Sequence, residues 1–353
     1  MTNGMTNGNA ETTMPQAIAL ISAGKDLTIE QARAVMRLIM TGEATPSQIA
    51  GLLVALRMKG ETVDEITGFA EAMRSFAGQV KTENRDLLDT CGTGGSGIHK
   101  FNISTTSAVI AAAAGARVAK HGNRAMSGKS GSADVLEALG VGISITAEQA
   151  AECLSRTGIC FMFAQLYHPA LKHAAVPRRE LGVRTIFNLL GPLANPANAD
   201  RQMMGLYDRT RTETVAKVLG NLGLRRALVV GSHDGLDEIS ISAPTRVSEL
   251  KDGAVSTYDI TPEELGLATL PLGEVKGGDA AENAAIIRRV LAGERSAYRD
   301  IVLANAGACL YVADRAATLR EGVELAAQTI DSGKAADKLA QWIATTGEVS
   351  HVS

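Results

Sequence analysis

The part of the chain that most limits its fold lies between Leu87 and Gly140. LLDTC is a short apolar run, GTGGSG a glycine loop, and ISTTSAVIAAAAG a helix opening on Ser and Thr. RVAKHG restarts the cycle, followed by a loop rich in Gly and Ser and by the helix SADVLEALG with Ser132 as its cap. MMGLY, TETVAKVLGNLG and RALVVGS repeat the alternation further on. Strands that alternate with helices specify a mostly parallel sheet covered by helices, because each parallel pair needs a long crossover. Residues 85–353 are therefore assigned to a larger α/β domain. Its last hundred residues read as mostly helical, including ENAAIIRRVLAG and a long IVLANAGACLYVADRAATL.

The N-terminal part follows a helical period. In LTIEQARAVMRLIM, Ile29, Ala32, Val35, Met36 and Ile39 share one face, and Thr28 with Gln31 makes a capping box. Thr45 caps the next helix, Pro46 suits its first turn, and Ile49, Leu52, Leu53 and Leu56 form its stripe before Gly60 ends it. A third helix runs from Val63 to Phe76. Residues 14–84 thus form a small helical domain whose stripes must pack on one another, on the rest of the chain, or on a second subunit. Residues 1–13 lack the charged region and apolar core of a signal peptide and read as a disordered leader.

Bulk properties exclude several classes. The net charge is -3 with no basic run, which disfavours a nucleic-acid partner. No uncharged apolar run reaches the ~20 residues of a membrane span. The four cysteines (Cys91, Cys153, Cys160, Cys309) are scattered, without metal-ligand spacing, and suit reduced thiols in a cytoplasmic protein. Cys91 alone abuts a glycine loop.

Two loops carry the chemistry. KHGNRAMSGKSGSADVLEALG contains G-K-S, but five residues separate Gly122 from Gly128, one more than a nucleotide P-loop allows. GTGGSG fits G-x-G-x-x-G, yet the helix waits until about Ile103 and the region where a ribose-binding acid belongs is basic, with Arg117 and Lys120. What remains is two glycine loops, each leading to a helix start rich in hydroxyls, where backbone N–H groups bind anions. Such a pair suits a ligand with two separate phosphate groups. Lys120, Arg124 and Lys129 offer charge; Asn102, Ser104, Thr105, Ser127 and Ser132 offer donors. Adjacent acids Asp237 and Glu238 in SHDGLDEIS could hold Mg²⁺, which takes few carboxylates plus substrate oxygens; a solvated acidic turn is the alternative.

DTCGTGG, FNIST, KHGNRAMSGKSGSADVLEALG, RRELGVRTIFNLLGPLANP and DGLDEIS, in this order, closely resemble the anthranilate phosphoribosyltransferase family, of the nucleoside-phosphorylase-like class. The likeness runs from roughly Ala17 to Ala344. It implies transfer of a phosphoribosyl group from phosphoribosyl pyrophosphate to anthranilate, the second step of tryptophan biosynthesis. It also implies that helices near 178–191 complete the helical domain, and that a homodimer forms through it. Carried over by position, Gly92, Gly95, Ser96, Lys100, Asn102, Ile103, Ser104 and Thr105 form the pyrophosphate loop. Lys120, His121, Gly122, Asn123, Arg124, Ala125, Met126, Ser127 and Gly128, with Ser132, surround the phosphoribosyl group. Gly92, His121, Asn123 and Arg178 hold anthranilate, and Ser104, Asp237 and Glu238 hold Mg²⁺. No general base is implied. The family loop usually reads GTGGD, where this chain has Ser96, and Thr or Ser is common at the position of Lys100. The exchange is expected to tighten the grip on pyrophosphate and alter metal dependence. His168 and His173 are assigned structural roles, Trp342 a core role, and His233 the positioning of the DGLDE turn. The alternatives are a pyrimidine nucleoside phosphorylase-like enzyme and a non-catalytic nucleic-acid-binding relative of the same fold; the acidic balance and the retained Asp237–Glu238 pair weigh against the latter.

Overall fold

The computed structural model describes residues 12–83, 85–95, 97–125 and 129–350. Residues 1–11 of the expected leader, and Ser96, Met126, Ser127 and Gly128 of the expected loops, lie outside the described residues.

Four helices open the chain: α1 (Met14–Ser22), α2 (Ile29–Met40), α3 (Pro46–Lys59) and α4 (Val63–Ser75). Each starts at a Thr followed three residues later by Gln or Glu, and each pair caps reciprocally: Thr13 with Gln16, Thr28 with Gln31, Thr45 with Gln48, Thr62 with Glu65. Such a cap stabilises a helix start by about 1 kcal/mol. Thr13 is therefore part of a helix start and not of a leader. The expected stripes of α2 and α3 are buried except Ile29, which is half-buried, and α4 adds Ile66, Phe69, Ala70 and Met73. The helix Lys172–Leu181 belongs to this unit, which comprises the chain through Phe76 and Ala170–Leu190.

The second unit is Ala77–Pro169 with Gly191–Ser353. It begins earlier than the sequence boundary at 84, because residues after Phe76 bond to this unit: Gly78 N–H donates to the Tyr167 carbonyl (2.8 Å) and Val80 N–H to that of Pro196 (3.0 Å). Its strands are β1 (Leu87–Gly92), β2 (Arg117–Gly122), β3 (Ile159–Phe163), β4 (Arg201–Gly205), β5 (Arg226–Ser232), β6 (Thr245–Lys251) and β7 (Ala254–Ile260). They form one sheet in the order β3-β2-β1-β4-β5-β6-β7, parallel from β3 to β5 and antiparallel from β5 to β7. α5 (Ile103–Ala113) connects β1 to β2, while α6 (Ser132–Leu139) and α7 (Ala147–Thr157) connect β2 to β3. The chain thus steps outward from β1 through β2 to β3, then returns to lay β4 on the other side of β1. That reversal leaves a crevice outside the carboxyl ends of β1 and β4, where ligands of open parallel sheets bind.

Three further sequence expectations need correction. The last hundred residues, expected to be mostly helical, open with β7, which forms a hairpin with β6 turning at Asp252 (φ +51°) and Gly253 (φ +76°). IVLANAGACLYVADRAATL is not one helix: Ala297–Val312 ends before Asp314, which takes φ +55°, and Thr318 caps a new helix, Leu319–Asp331. Ser132 is the first residue of α6 and not its cap. Gly131 holds the cap position, and its N–H donates to the Asp134 carboxylate at 2.8 Å.

Candidate active site

The site grows from the ends of β1 and β4. Gly92 and Gly205 finish these strands as register partners. A Cβ on Gly205 would overlap the Asp237 carbonyl oxygen, and one on Gly92 would lie 3.3 Å from Asp237 Oδ2. Glycine at both strand ends therefore lets the Asp237–Glu238 turn settle directly onto the sheet. That turn is held from several sides. Asp234 accepts from Leu236 N–H (3.1 Å) and from the Ser240 hydroxyl (2.6 Å). Asn305, on the helix Ala297–Val312, accepts from Ile239 N–H (2.9 Å) and donates back to the Ile239 carbonyl (2.9 Å). His233 lies beside the turn, with Nε2 3.3 Å from Asp259 Oδ2.

The first loop leaves β1 through Gly94 and Gly95, at φ +63° and +77°, a conformation that favours glycine. Thr93 anchors it, donating its N–H to the Gly205 carbonyl (2.9 Å) and accepting at its hydroxyl from Tyr207 N–H (3.2 Å). Beyond the loop, Lys100 lies over the acid pair, Nζ 2.9 Å from Asp237 Oδ1 and 2.9 Å from Glu238 Oε1. Both acids are buried, and burial pushes the Glu238 carboxyl above its ordinary range even though Lys100 opposes the shift. The sequence placed Lys100 toward pyrophosphate; the structure turns its ammonium onto the carboxylates.

Asn102 joins the two loops. Its side chain donates to the Ser130 carbonyl (3.3 Å) and accepts from the Ser130 hydroxyl (3.3 Å) and from Asn283 (2.9 Å). Thr105, on the first turn of α5, donates to the Ser132 hydroxyl (3.2 Å), while Ile103 is buried in the core. Lys120 is also buried. It donates to the Thr90 carbonyl and reaches the Ser104 hydroxyl at 3.4 Å, and burial lowers its ammonium pKa.

The second loop begins where β2 ends at Gly122. Asn123 is exposed, and its carbonyl accepts from Ala133 N–H at 3.2 Å. Arg124, assigned to the phosphoribosyl group, pairs in this structure with Asp134 (2.9 Å) and Glu137 of α6. Ala125 N–H donates to the Asp134 carboxylate at 3.0 Å.

β1 and β2 pair in register only at Leu87–Arg117 and Leu88–Val118. Past that point the buried Asp89 carboxylate bridges the strands by accepting His121 N–H at 3.1 Å. Burial pushes Asp89 up to about 6. His121 is buried beside His168, with ring centroids 5.0 Å apart; burial lowers them to about 3 and about 4, so both are neutral at pH 7. Cys91 is buried and accepts from Gln202 at 3.1 Å, and burial pushes its thiol well up, which leaves it unreactive. Arg178 lies in the helical unit, its guanidinium 5.0 Å from the Phe187 ring centroid. Asn283 and Asn305 were not singled out from sequence: each acts across more than sixty intervening residues, and no local motif marks an amide of that kind.

A helical bundle with a mostly parallel α/β domain and glycine loops at the strand ends is the arrangement of a glycosyl transferase family. Its helical bundle domain matches residues 15–77 and its a/b domain residues 84–336. The anthranilate phosphoribosyltransferase of Symbiobacterium thermophilum is 56% identical over 91% of this chain and 94% of its own length; that of Thioalkalivibrio sulfidiphilus is 54% identical over 94% and 98%. The crystal structure of the Thermus thermophilus enzyme superposes with a TM-score of 0.90 at 44% identity, covering 94% of this chain and 99% of that one. The Saccharomyces cerevisiae enzyme, in complex with PRPP and Mg, shares the fold at 24% identity with a TM-score of 0.87, over 96% and 99% of the two chains. The chain belongs to the anthranilate phosphoribosyltransferases of this glycosyl transferase family. Among the described residues, no helix is long and apolar enough to cross a membrane.

Proposed function

We propose that the chain transfers the 5-phosphoribosyl group of phosphoribosyl pyrophosphate to the amine of anthranilate, giving N-(5-phosphoribosyl)anthranilate and pyrophosphate in the second step of tryptophan biosynthesis. The observation that carries this reading is the pair of glycine turns at the ends of β1 and β2, joined through Asn102, with a buried acid pair beside the first.

In this reading the amides of Gly92 to Gly95 and the start of α5, with Asn102, Ser104 and Thr105, take the pyrophosphate. The Lys120–Ala125 segment and Ser132 take the phosphoribosyl group. The residues beside the first turn fit Mg²⁺: they offer oxygen donors only, and the two carboxylates already accept one cationic group, the Lys100 ammonium. Asp237 and Glu238, with Ser104, would hold the ion. When bound, it supplies charge neutralisation to the departing pyrophosphate. The chain's own contribution is orientation. Glycine-loop amides lie where negative charge grows on the leaving group. By its match to the family position, Arg178 pairs with the anthranilate carboxylate as a planar fork, and Gly92, His121 and Asn123 are assigned to the same substrate. The aromatic amine attacks in its neutral form, and a neutral His121 suits a site that binds and does not take a proton. Positioning therefore supplies much of the rate.

The helical unit exposes Val54 and Met58 on α3, Val176 on the helix Lys172–Leu181 and Val183 just after it, which supports a homodimer formed through this unit. The four buried, unbridged cysteines and the biosynthetic role support action in the cytoplasm. Loss of anthranilate fluorescence with the phosphoribosyl donor and Mg²⁺ tests the activity. Arg178→Ala should raise KM for anthranilate at least about tenfold, the scale of a lost charge-assisted pair. Full turnover by that variant would overturn the pocket assignment.

A further inference from the structure

The acid pair beside the first loop carries a cation belonging to the protein itself. Lys100 Nζ is 2.9 Å from an oxygen of each carboxylate and 3.4 Å from the Asp237 carbonyl oxygen. The Asp237 and Glu238 side chains are 1% and 7% exposed, so water does little to screen this contact. A divalent ion drawing oxygens from both residues needs the volume that the ammonium fills. The two cations also repel strongly at such short range in a poorly solvated site. They exclude each other.

The backbone of Lys100 has little room to withdraw. It forms a β-bridge with Lys276, and the preceding His99 carbonyl accepts Gly277 N–H at 3.0 Å. The following Phe101 is buried and meets Tyr298 edge-on, centroids 5.1 Å apart. Exchange therefore rests on rotation of the flexible lysine side chain, which is itself 18% exposed and so has a route outward.

We propose that Lys100 is a tethered cation that neutralises Asp237 and Glu238 until a divalent ion displaces it, so that the ion binds more weakly than the two carboxylates alone would hold it. This rests on reading the acid pair as the metal site. Once displaced, the ammonium is free to pair with a pyrophosphate in the neighbouring glycine loop. Ion and donor then favour each other's binding, reciprocally, through one side chain.

The test uses the full chain and Mn²⁺ as probe, with free Mn²⁺ counted by electron paramagnetic resonance and no substrate present. Lys100→Met should bind Mn²⁺ at least about tenfold more tightly than the unaltered chain. Its melting temperature should also rise more on adding Mn²⁺. Asp237→Asn combined with Lys100→Met should abolish the gain. Lys100→Gln, which keeps a neutral hydrogen-bond donor, serves if Lys100→Met does not fold, and should gain in the same direction. If folded Lys100 variants bind Mn²⁺ no better than the unaltered chain, while Asp237→Asn weakens binding, the acid pair is the metal site but Lys100 does not compete for it. If the gain survives Asp237→Asn, the ion sits elsewhere, and both the site reading and the proposal fail.

Discussion

At the scale of single residues, Gly205 makes the clearest case. It looks ordinary in MMGLY, yet it is the point where the acidic turn rests on the sheet. Gly205→Ala should destabilise the protein by about 1–3 kcal/mol, the usual cost of forcing a methyl into filled space. It should also weaken Mn²⁺ binding, because relief of the clash lifts Asp237. Chemical denaturation and metal titration of that variant would check both effects, and unchanged metal affinity would show that the turn does not depend on this contact. The same residue marks the limit of sequence reading. Asp237 and Glu238 stand out as neighbouring acids, but the reason they meet the first loop lies in glycines over thirty and over one hundred residues away. Lys100 shows the limit from the other side: its charge is legible, its direction is not. An ammonium between a glycine loop and two acids can turn either way, and only the packed structure decides.

At the scale of elements, local rules served well wherever they were complete within a few residues. Thr-x-x-Gln before an apolar run gave the start of α2, and Thr45–Pro46 gave that of α3. The same signal before α1 and α4 was equally available in Thr13–Gln16 and Thr62–Glu65. The β6–β7 hairpin carried its own mark too, an Asp-Gly pair at residues 252–253, obscured by the helices that follow. Coupling between the two ligand loops was not legible, because it runs through Asn102 to Ser130 and Asn283. If that amide aligns the loops, Asn102→Ala should cost about 1–3 kcal/mol of stability by stranding the buried Asn283 and the half-buried Ser130, and should lower kcat more than Asn283→Ala does. Equal kinetic losses in the two variants would assign Asn102 only a packing role.

At the scale of the whole molecule, buried titrating groups set the response to pH. His121 and His168 are lowered by burial to about 3 and about 4. Between those values and about 6.5, where free histidine titrates, the unfolded chain binds more protons than the folded one. Their contribution to stability therefore declines as pH falls through that window. Asp89 acts in the opposite sense: raised to about 6, it holds a proton that the unfolded chain has lost, and this contribution vanishes as pH rises through about 6. His168→Gln should make the fall in Tm between pH 7 and pH 5 smaller than in the unaltered protein. Parallel Tm curves would mean that His168 takes up its proton as easily in the folded state. One further consequence concerns how such a chain could be dissected. The helical unit takes Ala170–Leu190 from the middle of the sequence, so the polypeptide passes between the units three times. Cutting after Phe76 would strand that excursion without the helices it belongs with. Shuffling of domains by simple end-joining is closed to this architecture; the two parts must be inherited, and expressed, as one.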